Sequence, residues 1–279
     1  TIRQPALMEL NLKGQYRSLF STALTGIGPM VAGPLNGEGS LTVFMGGTFM
    51  SRHYPLSHPS QLLHQDENGW RLDSGHEDLL RSIQRSRGAV WSDLNGVGFA
   101  ELIITTEWGL VRVLQNTRGK LEDRTHAWGL GAHTGLWGGV VSGDMDGNGF
   151  PDLIVGNWGR NSDWQATGKS PLNMYHGDIL KTGVREIIEA EYHPQKLISP
   201  KRYLSELGAQ LPFLFKLAGN NARYSSLTVR ELFAHYWESL TALHASTLDT
   251  CLFLNSGNGT FQQVLLPKEV QWAPVFGLQ

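Results

Sequence analysis

The chain has 279 residues but only one cysteine, and it contains no long uninterrupted apolar run. A single cysteine excludes an internal disulfide, and Cys251 lies in the apolar stretch TCLFLN, where a buried and inert thiol is expected. A transmembrane helix needs about 18 or more apolar residues in succession, so no membrane span is predicted. A signal peptide and an initiator methionine are also missing, as expected for a fragment or a processed form.

Neither sign of charge dominates, because 23 basic residues are balanced by 25 acidic ones and the net charge is −2. No basic patch stands out, so nucleic acid is not an expected partner. The phosphate-binding pattern GxxxxGK[ST] and the dinucleotide-binding pattern GxGxxG are absent. Ser142 lacks the glycine spacing of a hydrolase nucleophile, and no acidic residue stands beside His126 or His133. The sequence therefore predicts a protein that is not an enzyme.

The stretch SGDMDGNGFPDL, residues 142–153, places three carboxylates and an amide between glycines. Asp144, Asp146, Asn148 and Asp152 stand at positions one, three, five and nine of a loop, and the carbonyl of Phe150 falls at position seven. Ca²⁺ takes about six to eight oxygen ligands of these kinds. Glycine permits the tight winding that brings such ligands together. We therefore predict that this loop binds Ca²⁺; a polar turn without a metal is the alternative.

The pattern of this loop recurs along the chain, which indicates a repeat architecture. Each copy has a loop that contains glycine, followed by an apolar strand with β-branched residues. The further copies are WSDLNGVGFAELIITT at 91–106, AGPLNGEGSLTVFMGG at 32–47 and a fainter HGDILKTGVREIIEAE at 176–191.

A second element recurs as well, in which a strand, a turn with asparagine or glycine and another strand follow one another. Its copies are LLHQDENGWRL at 62–72, VRVLQNTRGKLED at 111–123 and LFLNSGNGTFQQV at 252–264. Four antiparallel strands per unit, repeated radially, form the blade of a β-propeller. The predicted fold class is therefore all-β: residues 1–279 form a partial β-propeller with about three to four visible blades, each a four-stranded antiparallel sheet.

Residues 198–246 show a different pattern, which predicts a helical insertion packed on the propeller. In TVRELFAHYWESLTALH, residues 228–244, apolar residues recur on one helical face. Thr228 and Glu231 form a capping box in front of it. A second helix is predicted in KRYLSELGAQLPFLFKLA, residues 201–218, with an interruption near Pro212. The apolar stripe is expected to pack within the chain, and a partner-binding face is the alternative.

These motifs resemble a known family. DMDGNGFPDLIVGN is similar to the FG-GAP or VCBS repeat, the blade unit of integrin α-chain propellers and of many bacterial surface proteins. GAVWSDLNGVGFAELIITTEWGLVRVLQN, followed by HTGLWGGVVSGDMDGNGFPDLIVGNWGRNS, is similar to bacterial relatives of cartilage acidic protein. The resemblance implies a propeller stabilised by Ca²⁺, normally of about seven blades. It also implies a location outside the cytoplasm, at the cell surface or in the periplasm, and binding rather than catalytic roles.

The chain departs from the family pattern in two respects. Too few units are visible for a closed ring, and the final QWAPVFGLQ resembles the start of a further blade. Because propellers normally remove their exposed strand edges by closure, we expect self-association through open edges.

The ligand pattern also decays in the other loops. In 93–101, Asp93, Asn95 and Glu101 hold positions one, three and nine, with the carbonyl of Phe99 at seven. Val97 replaces the oxygen donor at position five, so this loop is expected to bind a metal weakly at best. The loops 34–42 and 178–186 are expected to be plain turns. The donors left in them are Asn36 and Glu38 in the first, and Asp178 and Glu186 in the second.

The sequence therefore predicts a calcium-binding propeller segment for adhesion or protein interaction. The runner-up is a carbohydrate-binding, lectin-like propeller with a glycan partner, and a polysaccharide-active enzyme on the same scaffold is a more distant third. The carbohydrate hypothesis depends on tryptophans at the starts of blades and the ends of strands, which are otherwise expected to wedge between blades. They are Trp91, Trp108, Trp128, Trp137, Trp158 and Trp164.

Overall fold

The computed structural model describes residues 4–10, 13–22, 26–37, 41–48, 50–192 and 198–279. Two compact units make up the chain. The first comprises Thr1–Asn161 and Asp249–Gln279, and the second comprises Ser162–Leu248. The second unit is therefore inserted into the sequence of the first.

The elements of both units are mostly short strands. In chain order the strands are β1 (Gln4–Leu10), β2 (Tyr16–Thr22), β3 (Ile27–Gly33), β4 (Thr42–Gly47), β5 (Gln61–Asp66), β6 (Gly69–Leu72), β7 (Ser86–Ser92), β8 (Glu101–Thr117), β9 (Lys120–Asp123), β10 (Thr134–Leu136), β11 (Val140–Gly143), β12 (Asp152–Val155), β13 (Leu172–Gly177), β14 (Glu186–Tyr192), β15 (Ile198–Pro200), β16 (Thr241–Ala245), β17 (Cys251–Asn255) and β18 (Phe261–Leu265). The α-helices are α1 (Glu77–Arg81), α2 (Leu204–Gln210), α3 (Phe213–Ala218), α4 (Asn221–Ser226) and α5 (Val229–Leu232).

The first unit contains three four-stranded antiparallel sheets and the small β1–β2 hairpin. The first sheet has the order β3-β4-β5-β6, and the third has the order β11-β12-β17-β18. In the second sheet the long strand β8 pairs with β7, β10 and β9 along successive parts of its length. The third sheet is completed only after the inserted unit, because Leu153 of β12 pairs with Phe253 of β17.

The three sheets of this unit are joined by apolar layers, and side-chain alternation in β8 explains how. Successive side chains of a strand point to opposite faces of the sheet. Leu102 and Ile104 therefore pack with Phe44 of the first sheet. Ile103 packs on the other face with Phe253 of the third sheet. All of these side chains are fully buried. The second sheet is thus covered on both faces, which is why the successive residues Leu102, Ile103 and Ile104 of β8 are all apolar.

The second unit has its own four-stranded antiparallel sheet, with the order β15-β14-β13-β16. Its helices pack on one face of this sheet, where Tyr175 and Ile188 join Leu207, Leu214 and Phe233 in one core cluster. The predicted capping box is present, with the side chain of Thr228 accepting from the N–H of Glu231.

The helical part of the insertion is shorter than the sequence suggests. Within 198–246 the α-helices and a 3₁₀ turn lie between Leu204 and Ser239, and strands β15 and β16 flank them. The single helix predicted over 228–244 is wrong, because α5 ends at Leu232. The following residues instead pair with β13, from Thr241 opposite His176 to Ala245 opposite Leu172. The predicted interruption near Pro212 is found, since this residue caps the start of α3.

The four-stranded antiparallel sheets confirm the all-β prediction, whereas no closed propeller is detected in the part of the chain that the structure describes. Glu38 and the tip of its loop lie outside the described residues. Of the helices in the described ranges, none combines the length and the apolar character needed to cross a bilayer.

Candidate metal centre

The repeated loops occupy equivalent places in three of the sheets. Each joins two neighbouring antiparallel strands, and position nine opens the second of them. Asp152 pairs with Gly143 at the end of loop 144–152, and Glu101 pairs with Ser92 at the end of loop 93–101. Glu186 closes the loop 178–186 in the same way, opposite Gly177. The numbered positions of the three loops are therefore structurally equivalent, and their side chains can be compared position by position.

In the loop 144–152 the first carboxylate holds the backbone of the turn. The oxygens of Asp144 accept hydrogen bonds from the N–H groups of Gly147 (2.8 Å), Asn148 (3.1 Å) and Gly149 (2.9 Å). The glycines at 147 and 149 have φ values of 78° and 89°, which lie in the left-handed region. Such winding directs successive N–H groups inward, toward one carboxylate.

The carboxylate at position nine ties this loop to the rest of the third sheet. Asp152 is fully buried. One of its oxygens accepts the N–H of Met145 at 2.7 Å, and the other accepts the N–H of Asn255 at 2.7 Å. Two backbone donors thus balance the burial of this charge, as buried polar groups require.

Asp146 at position three completes a group of three carboxylates. One oxygen atom from each of Asp144, Asp146 and Asp152 can be chosen so that all three lie within 4.8 Å of one another. The first two residues are exposed and the third is buried. Within the described ranges no other set of three His, Cys, Asp or Glu side chains meets this spacing. An all-oxygen group of this kind suits a hard cation such as Ca²⁺ or Mg²⁺.

The two other predicted ligands of this loop are placed differently from the carboxylates. The side-chain oxygen of Asn148 accepts the N–H of Phe150 at 2.8 Å, and its amide nitrogen donates to the carbonyl of Asn255 at 2.8 Å. The ring of Phe150 packs beside Gly257, where an added Cβ would lie 2.6 Å from it. Coordination by Asn148 or by the carbonyl of Phe150 stays a prediction.

The loop 93–101 repeats this construction with one decisive difference. Asp93 accepts the N–H groups of Val97 (3.2 Å) and Gly98 (2.8 Å), and Glu101 accepts the N–H of Leu94 at 2.8 Å. At position three, however, the amide of Asn95 donates to Glu101 at 2.9 Å. A neutral donor therefore stands where the other loop has a third carboxylate.

The pKa of the buried Glu101 is shifted by its surroundings in this loop. Burial raises the pKa of its carboxyl group to about 7; the N–H of Leu94 offsets part of this effect and the charge of Asp93 adds to it. Phe99, the fourth predicted residue of this weaker site, lies with its ring 4.0 Å from the place where a Cβ on Gly37 would stand. Metal binding by this loop stays a prediction.

The loop 178–186 shows the same bonding. Asp178 accepts the N–H groups of Thr182 (2.9 Å) and Gly183 (3.0 Å). Glu186 accepts the N–H of Ile179 at 2.7 Å. Position three is Leu180, which cannot be a ligand and is 44% exposed. The carboxylates at positions one and nine therefore serve the folding of all three loops. A third carboxylate, at position three, is present only in 144–152 among these loops, and loop 93–101 also lacks the oxygen donor at position five, where Val97 stands.

Sequence reasoning missed a buried asparagine that links each loop to the preceding one. The side-chain amide of Asn255 donates to the carbonyl of Pro151 in its own sheet (3.2 Å) and to that of Leu94 in the preceding sheet (2.8 Å). The side-chain oxygen of Asn255 accepts the N–H of Gly257 at 3.0 Å.

Asn116 makes the equivalent contacts one sheet earlier. Its amide donates to the carbonyls of Ala100 (3.1 Å) and Leu35 (2.9 Å), and its backbone N–H donates to Glu101. Both asparagines are almost fully buried. The signal in the sequence was the asparagine shared by the hairpins VRVLQNTRGKLED and LFLNSGNGTFQQV.

Most of the residues considered above for sugar binding or catalysis are buried in the protein interior. Trp108, Trp128 and Trp137 are buried, so these three do not offer a surface to a sugar ring. Cys251 is fully buried, which confirms the predicted burial of this residue, and burial raises the pKa of its thiol to about 11. His133 packs against Phe253 with ring centroids 5.7 Å apart, and burial lowers its pKa.

Comparison with known families agrees with this construction. Residues 93–155 match the family model described as an FG-GAP-like repeat. The match begins at Asp93, the first position of the second sheet's loop, and ends with β12. It supports the FG-GAP resemblance for this part of the chain and suggests a β-propeller-like module for interaction or adhesion. No curated protein matches the chain.

Proposed function

We propose that the chain is a non-enzymatic, calcium-binding segment of a β-propeller that acts outside the cytoplasm in adhesion or protein interaction. The observation that supports this proposal most directly is the carboxylate group of Asp144, Asp146 and Asp152 inside an FG-GAP-like repeat. The narrower resemblance, to the VCBS repeat and to bacterial relatives of cartilage acidic protein, belongs to the same proposal. It favours a periplasmic or cell-surface location.

Calcium is the preferred cation for two physical reasons. Three formal negative charges lie close together, while their hydrogen-bond donors in the loop are uncharged amide groups. A divalent cation would relieve this repulsion, and the two exposed carboxylates leave room for water ligands. Ca²⁺ tolerates such mixed, irregular coordination, whereas Mg²⁺ demands near-octahedral geometry and gives up water reluctantly.

The test is thermal unfolding with calcium and with chelator. Extracellular calcium modules bind with Kd values of about 10⁻⁴–10⁻³ M, so millimolar calcium should stabilise the fold by about 0.5–1.5 kcal/mol. For a chain of this size, that gain corresponds to a Tm rise of about 1–6 °C. An unchanged melting curve would refute the calcium proposal.

A pair of reciprocal variants makes this test specific. Asp146→Asn should abolish the calcium response without unfolding the loop, because Asn95 occupies the equivalent position in loop 93–101. Asn95→Asp should create a third carboxylate beside Asp93 and Glu101 and destabilise the calcium-free protein. It should add only a weak calcium response, because Val97 still lacks the oxygen donor of position five. Asp144→Ala is a poorer test, since it also removes the acceptor of three backbone N–H groups.

A further inference from the structure

The helix α3 in the second unit is apolar on its outer as well as its inner side. In its sequence FLFKLA the single charge is that of Lys216. Leu214 and Ala218 are buried in the core cluster of this unit, whereas Phe215 and Leu217 expose 47% and 38% of their surface. A helix that is apolar all round is normally covered on all sides. Its outer side therefore has the character of a surface that binds something.

A groove of about 620 Å³ runs beside this helix. Phe213, Leu232 and Tyr236 line it, and Leu217 forms part of its wall. The aromatic lining is held in place, since the ring of Phe213 lies 5.0 Å from that of Tyr236 and 5.9 Å from that of Phe233, centroid to centroid. Volumes of about 300–1,000 Å³ are usual for ligand sites, so the groove can receive one large apolar side chain with its neighbours.

The charges on the rim define the chemistry of the occupant. Lys216 and Arg223 lie on the rim with exposed side chains, and neither forms an ion pair with any residue that the structure describes. The acidic residue in the lining is Glu231, whose carboxylate accepts the N–H and the hydroxyl of Thr228 at 2.8 Å each. These bonds lower its pKa and keep it engaged in the helix cap. The lining thus carries two cations without ion pairs and one carboxylate engaged in the helix cap, which leaves an excess of positive charge beside an apolar floor.

We propose that this groove binds a short acidic peptide segment of a partner protein. An apolar side chain of the segment would lie on Phe213 and Tyr236, while its carboxylates would reach Lys216 and Arg223. A peptide fits better than a compact small molecule because the apolar surface continues along α3, where Phe215 is exposed. The inference rests on the proposed interaction role and names the partner's chemistry, but it does not depend on the bound cation.

The experiment uses the full chain and two short fluorescent peptides with the same Phe and Leu residues, flanked by Glu in one and by Lys in the other. Fluorescence polarisation should show binding of the acidic peptide alone. Leu217→Ser and Lys216→Glu should each weaken it about tenfold or more, which corresponds to about 1.4 kcal/mol. The controls are Leu180→Ser and Lys169→Glu, which remove a leucine of similar exposure and an exposed lysine elsewhere in the same unit. Both should bind like the unaltered chain.

Equal binding of the two peptides, or no binding of the acidic one, would overturn the proposal. The same holds if the control variants lose affinity as much as the groove variants do. Self-association that is lost in Leu217→Ser would identify a second copy as the occupant and would also overturn it. None of these results would alter the calcium dependence of melting, so failure of the groove and failure of the calcium proposal can be told apart.

Discussion

Replacing Asn255 with alanine should be among the most damaging single changes in the first unit. The variant loses two donated hydrogen bonds, to Leu94 and Pro151, and one accepted from Gly257. Each such bond contributes about 1 kcal/mol net, and a buried group left without a partner costs about 1–3 kcal/mol. With Asn255 almost fully buried, the expected loss is about 3–4 kcal/mol of unfolding free energy. That loss corresponds to a fall in Tm of about 6–16 °C.

The assay is urea or thermal unfolding of the variant beside two companions. Asn116→Ala should lose a similar amount, because its amide makes the same pair of contacts one sheet earlier. Asn258→Ala removes an exposed turn asparagine that bonds only within its own turn, to Thr260, and should cost less than about 1 kcal/mol. If Asn255→Ala cost no more than Asn258→Ala, the inferred link between neighbouring sheets would be refuted.

Two further outcomes are expected from the same structure. The pKa of Glu101 rises from 4.5 to about 7 on folding, so the unfolded chain loses this proton first and stability should fall as pH rises between these values, by about 3 kcal/mol in all. Glu101→Gln should remove this component, seen as a flatter curve of unfolding free energy against pH than that of the unaltered chain. Gly257→Ala should cost about 2–3 kcal/mol, because φ is +69° and the new Cβ would lie 2.6 Å from the ring of Phe150. Gly259→Ala has φ of +85° and open space around it, so it should cost only about 1 kcal/mol in the same unfolding measurement.

Local patterns in the sequence were enough to predict the repeated loops and hairpins. The glycines and carboxylates of loop 144–152 set its winding through contacts a few residues apart, and the hairpin turns do the same. The strand conformation of residues 241–245 could not be predicted from such local patterns. Their apolar spacing continues that of a helix, yet one edge of this segment pairs with β13, a strand from a distant part of the chain.

The bounds of the inserted unit could not be predicted from the sequence either, because they also depend on pairing between distant strands. The hairpin 252–264 was recognised, but only the pairing of β17 with β12 shows that it completes the sheet begun by β11. The loop 178–186 therefore belongs to a separate sheet inside the inserted unit. Pairing between strands far apart in sequence depends on tertiary packing, which periodicity does not record.

Comparison of the three loops shows that most of their acidic residues have a structural role. The calcium hypothesis for loop 144–152 treats every carboxylate as a metal ligand. However, Asp93 and Asp178 accept hydrogen bonds from backbone N–H groups at equivalent positions, in loops that have no third carboxylate. The carboxylates at positions one and nine would thus remain even in a repeat that never bound a cation. Asp146 differs, because the hydrogen bonds to its carboxylate come from the backbone N–H and the side-chain amide of Asn148, two residues away. The loop should therefore fold without metal, and the cation should add stability to a turn that is already formed. This is why a single substitution at position three, rather than loss of the whole acidic pattern, should separate a calcium-binding repeat from a silent one.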